Sequence, residues 1–256
     1  MLIGLSRLPP PCDSNGKQYI GVKGSKGAPF FKCARIDKVV DSEILNEKEL
    51  VIEAKKEYCG TPISEIKFFV TPGHHCSYLP RKDAATLFVD PRLSISPKHY
   101  HYLSERGFRR SGDYIYRPHC QNCNACIPVR IPTQLFKMNR KQKRIWKKNQ
   151  DIEISFATPS HTEEYFQLYA EYINARHHNG DMHPPSLEQF SSFLLSQWSR
   201  TDFIEMRLNG QLLGIAVTDH IENGLSAVYT FYAADAPQRS LGVFAILMQI
   251  HIAKTK

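Results

Sequence analysis

No apolar run in this chain of 256 residues approaches the roughly 20 that a membrane span needs. The start, Met1-Leu2-Ile3-Gly4-Leu5-Ser6-Arg7, meets Pro9-Pro10-Pro11 before a secretory apolar core can form. There is no internal repeat and no low-complexity tract. The composition excludes a disordered, collagen-like or disulfide-scaffold protein. Seven cysteines, too few for a disulfide framework in so long a chain, are expected to be reduced in a cytoplasmic protein without membrane contact. What is present is enough for a real core: 42% apolar and 11% aromatic residues. The 33 Lys+Arg against 25 Asp+Glu leave a net charge of +8, which suits a polyanionic partner without establishing one.

Three stretches differ in pattern. Residues 1–63 carry scattered prolines and glycines, then a charged amphipathic helix is expected over Asp41–Glu57. Cys12, Cys33 and Cys59 share no metal-like spacing and read as small buried residues. In residues 64–136, strands are expected at Ile66–Val70, Thr86–Val89, Asp113–Arg117 and Ile127–Ile131. Ser96-Pro97 to Gly107 has the cap, first-turn proline and terminal glycine of a helix. A basic segment, 137–150, leads into residues 151–256. There Ser160 with Glu163, and Ser186 with Gln189, read as capping boxes of two helices, to about His178 and Gln197. Phe203–Leu208 and Gln211–Thr218 flank Asn209-Gly210 as a hairpin; Leu225–Tyr232 is a further strand, and a helix runs from about Ser240 to the end. The expected class is α+β: a small cysteine-rich α/β lobe and a mixed-sheet domain.

Four segments can carry chemistry. Cys120-Gln-Asn-Cys123-Asn-Ala-Cys126 has two-residue gaps that let thiolates converge on zinc or an iron–sulfur cluster, with Cys76, His74 or His119 as fourth ligand. The alternative is a buried cysteine-rich turn without metal. Lys137, Arg140, Lys141, Lys143, Arg144, Lys147 and Lys148 surround Ile145 and Trp146. They are either a solvated helix face or an RNA backbone contact. Arg176-His177-His178-Asn179-Gly180-Asp181-Met182 is either a solvated helix end or a polar wall facing substrate. Gln238-Arg239-Ser240-Leu241-Gly242-Val243-Phe244 partly matches the turn with which acyl-CoA transferases cradle a pyrophosphate on a helix N-terminus, but Phe244 stands where a small residue is needed.

From about Ile66 to Ile252 the chain resembles the bacterial aspartate/glutamate leucyltransferases, relatives of the arginyl-tRNA–protein transferases. The resemblance rests on Thr71-Pro72-Gly73-His74-His75-Cys76-Ser77-Tyr78-Leu79-Pro80, on Gly107-Phe108-Arg109-Arg110-Ser111-Gly112, and on Tyr116-Arg117-Pro118-His119-Cys120 through Cys123 and Cys126 to Arg130. It also rests on Arg176-His177 with Gly180-Asp181-Met182, and on Leu225–Tyr232 followed by Arg239-Ser240-Leu241-Gly242. It implies transfer of leucine from leucyl-tRNA to proteins beginning with Asp or Glu, which marks them for degradation by the N-degron route. It also implies an N-acetyltransferase-like (GNAT-type) second domain that uses no acetyl-CoA, and transfer that requires no cofactor. The basic segment, Arg140, Lys141, Lys143, Arg144, Lys147 and Lys148, then becomes the tRNA contact.

The chemistry is aminolysis of an ester. Arg109, Arg110, Arg117 and Arg130 are candidates for the acceptor carboxylate. His177 or Asp181 could take the amine proton, and Tyr229 or Tyr232 could donate to the oxyanion. Cys76, Cys120, Cys123 and Cys126 are the candidate metal ligands. Two other readings are open, an acetyl-CoA-dependent N-acetyltransferase and a non-catalytic cysteine-rich RNA-binding module. Residues 1–63 fall outside the resemblance, and the similar proteins continue beyond Lys256. An incomplete second domain is therefore expected, with Val228 and Thr230 on an unpaired edge, weak or no activity and a tendency to self-associate.

Overall fold

A computed structural model describes residues 3–6, 66–80 and 82–255, with backbone alone for 3–6. The expected helix over Asp41–Glu57 and the cysteines at 12, 33 and 59 lie outside the described residues. The class is α+β, as expected.

The first lobe is a four-stranded antiparallel sheet in the order β2-β5-β7-β6, formed by β2 (Phe68–Val70), β5 (Thr86–Val89), β6 (Arg109–Ser111) and β7 (Tyr114–Pro118). A two-stranded ladder, β3 (His74–His75) with β4 (Asp83–Ala84), stands beside it. Helix α1 (Pro97–Glu105) packs on one face of the larger sheet. Ser96 accepts from the His99 backbone N–H, His99 returns the bond, and Pro97 fills the first turn, where its missing N–H is not needed. Leu87, Val89, Leu103, Phe108 and Ile115 form the lobe's core.

The second sheet is mixed and six-stranded. Its order is β8 (Val129–Pro132), β1 (Ile3–Ser6), β12 (Gly224–Tyr232), β11 (Gln211–Ile221), β10 (Thr201–Leu208) and β9 (Glu153–Ala157). β10 and β11 turn over Asn209 and Gly210, whose φ values of 50° and 82° are those a type I′ turn demands. Helices α3 (Glu163–Arg176) and α4 (Leu187–Leu194) cover one face, burying Tyr169, Ile173, Phe190 and Leu194 against Phe203, Ile215, Val217 and Phe231. Helices α2 (Arg140–Lys148) and α5 (Leu241–Thr255) cover the other with Ile145, Phe244, Ala245 and Met248 against Ile204, Met206 and Ala216.

Several expectations are corrected in detail. The cap of α3 is Thr162, which accepts from Tyr165 N–H, rather than Ser160. Helix α4 ends at Leu194, short of Gln197. Strands β6 and β9 were not anticipated. The edge of β12 is paired in part: β1 lies antiparallel to it from Gly224 to Ala227 and parallel to β8. Val228 and Thr230 lie beyond that pairing.

One irregularity places the site. Ala227 pairs with Thr218 and Tyr229 with Val217, so Val228 is an extra residue in the ladder. A bulge of this kind shifts the alternation of faces by one. Ala227 therefore packs with Ile250 and Ala253 of α5, while Tyr229 and Phe231 join the α3 face.

Candidate active site

Tyr229 and Tyr232 meet Tyr172, from the last turn of α3. Tyr172 packs tilted against Tyr232 at 5.0 Å between ring centroids and meets Tyr229 edge-on at 6.3 Å. His177, the C-cap of α3, lies 5.5 Å from the Tyr172 ring. Burial first, and then Arg176, hold the His177 imidazole below its ordinary value, so the neutral ring is favoured. Burial pushes the Tyr172 phenol up to about 12 and the Tyr229 phenol higher still. Both remain protonated donors through the neutral range. The Tyr229 hydroxyl points to the Met182 sulfur at 3.7 Å, a weak acceptor that a substrate oxygen can displace.

Asp181 is exposed and stands at the junction of the lobes. Ser77 Oγ, from the β3–β4 loop, donates to Asp181 Oδ2 at 3.0 Å, and Gln189 donates to the Asp181 carbonyl at 3.4 Å. The structure thus brings His177, Tyr229 and Tyr232 into one cluster and puts Asp181 on the loop beside it, tied to the first lobe. Tyr172 and Ser77 were missed. The spacing of Tyr165, Tyr169 and Tyr172 on one face of α3 was the available signal for the first; Ser77 gave none.

The four candidate acceptor arginines separate clearly. Arg110 is withdrawn from that role, because its side chain is wholly buried. Its Nε and Nη2 donate to Asp219 of β11 at 2.6 and 2.8 Å, and its Nη1 to the Leu194 carbonyl at 3.2 Å. Tyr100 and Thr201 donate to the same carboxylate, each at 2.7 Å. Arg110 therefore pins the first lobe to the central sheet. Arg130 is a surface partner of Glu105 at 3.6 Å. Arg117 lies 4.9 Å over the Phe108 ring and donates to the Arg106 carbonyl. Arg109 differs: its Nε is buried and meets no acceptor, and it stands opposite Tyr116 in the β6–β7 ladder.

Cys76, Cys120, Cys123 and Cys126 are free, half-buried thiols. Burial pushes the Cys126 thiol up, Arg109 draws it down, and Cys120, Cys76 and Cys123 add to the rise. Cys120 donates to the Ala85 carbonyl at 3.8 Å. Among the described residues no three His, Cys, Asp or Glu are arranged to hold a metal ion. The thiols suit zinc or iron–sulfur chemistry by type but not by placement, and no step below passes through a metal.

Helix α2 exposes Arg140, Lys141, Lys143, Arg144, Lys147 and Lys148 and buries Gln142 and Ile145. None of the six makes an ion pair among the described residues. Trp146 anchors the helix to α5, 5.6 Å from Phe244 and 5.4 Å from His251. The turn ahead of α5 is committed elsewhere. Arg239 forms a two-fold ion pair with Asp151 at 2.9 Å and reaches Asn149, and the Tyr232 ring lies against Gly242 where a Cβ would stand 3.0 Å away. Phe244 is buried against Trp146, so it is not what covers the turn. Tyr232 is.

These features define a two-lobed protein in which an aromatic, proton-donating cluster faces a helix end and a positively charged helix stands on the opposite face of the sheet. Residues 74–144 match the family described as "Arginine-tRNA-protein transferase, N terminus", and residues 164–256 match "Arginine-tRNA-protein transferase, C terminus". The chain belongs to this family of transferases. An "Aspartate/glutamate leucyltransferase" of Pseudomonas fluorescens strain Pf0-1 is 55% identical over 190 residues, 74% of this chain and 81% of its own. Similarly named proteins of P. fluorescens strain Pf-5, at 56%, and P. syringae pv. tomato, at 55%, match over the same shares. No helix among the described residues is long and apolar enough to cross a membrane.

Proposed function

We propose that this chain, in the cytoplasm, moves leucine from leucyl-tRNA to the α-amine of proteins beginning with Asp or Glu and so marks them for degradation. The observation that carries the reading is the Tyr172–Tyr229–Tyr232 cluster with a neutral-favoured His177 at its rim, inside the family match. The acceptor amine, with an ordinary pKa of about 7.7–8.0, bonds the leucyl carbonyl carbon in its neutral form, and His177 takes the proton that the nitrogen then sheds. Tyr229 donates to the oxygen that becomes negative, in place of its contact with Met182. The ester bond to the tRNA ribose then breaks, and the proton held by His177 passes to the departing ribose oxygen. Asp181, fixed by Ser77, orients the loop that follows His177, and Tyr232 holds Tyr172.

Arg109 is the acceptor-carboxylate cation in this reading, because it alone among the four candidates keeps a buried donor without a partner. Helix α2 carries the tRNA backbone. Acetyl-CoA is disfavoured, since Arg239 is held by Asp151 and Tyr232 lies over Gly242. The test is transfer of labelled leucine from leucyl-tRNA to peptides differing only in an N-terminal Asp, Glu, Lys or Ala, with acetyl-CoA binding measured by calorimetry beside it. Labelling confined to Asp and Glu is expected. Equal labelling of all four, or acetyl-CoA binding without leucyl transfer, overturns the reading.

A further inference from the structure

The sheet of the first lobe has a second face that the mechanism does not use. Directly paired residues of an antiparallel sheet share a face. Arg109 pairs with Tyr116, Tyr116 with Phe88, and Phe88 with Phe69, so these four form one row across β6, β7, β5 and β2. The opposite face holds Arg110, Ile115, Leu87 and Val89 in the core. On the outer face Phe88 stacks on Tyr116 at 5.6 Å and meets Tyr114 edge-on at 6.5 Å. Phe69 and Tyr114 are exposed at 50% and 54%, and the groove between them is lined by Phe88, Val89 and Pro91, with Asp90 and Arg92 at its border. Aromatic side chains left exposed together on one sheet face are available to a partner.

The row is polarised. At one end is Arg109, with its buried, unpartnered Nε; at the other are Phe69 and Tyr114, where the bordering charges, Asp90 and Arg92, pair with each other and the Arg92 guanidinium lies 5.9 Å over the Phe69 ring. The β6–β7 end of the row adjoins the site: His119, just past β7, donates its N–H to the Ala85 carbonyl between β4 and β5, and Ser77 of the β3–β4 hairpin bonds Asp181. Strands lie about 4.8 Å apart, so three steps from Arg109 to Phe69 span roughly 14 Å, the reach of about four extended residues.

We propose that this face is an extended acceptor subsite: the N-terminal carboxylate side chain sits on Arg109, and apolar side chains about four residues further along the acceptor pack on Phe88, Tyr114 and Phe69. This rests on the reading of the chain as a transferase to acidic N-termini. The occupant follows from charge complementarity at one end, apolar surface at the other and continuity with the site at Ser77. The face then selects, among proteins beginning with Asp or Glu, those with an apolar residue near position five.

The test uses the full chain and two Asp-initiated peptides that differ only at positions four and five, Gly-Ser in one and Leu-Phe in the other. Half-burying such side chains lowers KM for the apolar peptide by roughly five- to twentyfold, with kcat little changed. The double variant Phe69→Ser, Tyr114→Ser, at exposed positions, is expected to remove most of that difference. If both peptides are leucylated with equal KM, the transferase reading stands and this inference is overturned. If neither is leucylated, the transferase reading itself falls and takes the inference with it. A double variant whose only change is a higher KM for leucyl-tRNA assigns the face to nucleic acid. One that loses thermal stability and slows both peptides equally assigns it to another part of this chain. Either result overturns the proposal.

Discussion

Replacing Arg110 with alanine is the sharpest test of how the two lobes are joined. The guanidinium makes two parallel bonds to Asp219 and one to the Leu194 carbonyl, and neither charged side chain reaches solvent. Without it, Asp219 keeps only the hydroxyls of Tyr100 and Thr201, and a charge is left buried without its counter-ion. Breaking such a pair costs about 3–5 kcal/mol. For a chain of this size each kcal/mol moves Tm by about 2–4 °C, so a fall of roughly 6–20 °C is expected. Arg110→Lys should fall between, because an ammonium cannot reproduce the two-fold geometry. R110M combined with D219L should recover part of the loss, since it removes both charges together. Calorimetry or circular dichroism reads the transition, and leucine transfer at low temperature reads the site. If Arg110→Ala keeps the parent Tm and loses transfer to Asp-initiated peptides alone, the structural assignment is wrong and Arg110 returns to the acceptor site.

Tyr229→Phe removes one donor from the reacting oxygen and should lower kcat by about 10²–10³-fold at nearly constant KM, in steady-state transfer assays. Arg109→Ala should reduce kcat/KM for Asp-initiated peptides roughly ten- to hundredfold while leaving leucyl-tRNA affinity in place; unchanged kinetics would mean the carboxylate is read elsewhere. Changing Lys141, Arg144 and Lys148 to Gln should reduce the slope of log K against log salt for tRNA by roughly 0.7–0.9 per lost phosphate contact. An unchanged slope would make α2 a solvated face. Bonds from Arg207, Tyr165 and Ser155 hold the Glu205 carboxyl at about 2, against an ordinary 4.5. A depressed folded value contributes stability above about pH 4.5 that is lost as pH falls towards 2. The parent Tm should therefore decline over that window more steeply than that of Glu205→Gln, in buffered melts.

The sequence made local chemistry legible and left distant pairing hidden. Ser96 and Ser186 were readable as caps because the hydroxyl and the N–H it accepts from lie three residues apart. Asn209-Gly210 was readable because few residues adopt positive φ. The cap of α3 was misplaced because Ser160 and Thr162 both precede the acidic first turn, and the choice depends on where Tyr165 and Tyr169 are buried. Strand β6 has three residues, two of them arginines, and is a strand only because β7 pairs with it. Arg110 looked like a free cation because Asp219 is 109 positions away. A signal for it was present: an acid inside the apolar run of β11 needs a buried partner. The positions of His177, Tyr229 and Tyr232 could be named from the family pattern, but their convergence on Tyr172 depends on the Val228 bulge, which no local spacing records.

The turn ahead of α5 is closed to a small diphosphate carrier by the bonds that hold α2 in place. A pyrophosphate cradle needs free N–H groups, a free cation and an open approach at the helix N-terminus. Here Arg239 is held by Asp151 and Asn149, and Asn149 in turn donates to the Ile145 and Arg239 carbonyls. The same bonds lock the end of α2 to the turn, and Trp146 on Phe244 fixes the rest of that helix. The residues that would have served a diphosphate thus hold in place six exposed cations, a surface suited to a much larger polyanion. Tyr232 adds to the closure, since it fills the space over Gly242 and packs on Tyr172. Releasing Arg239 from Asp151 would therefore free the turn only by loosening α2.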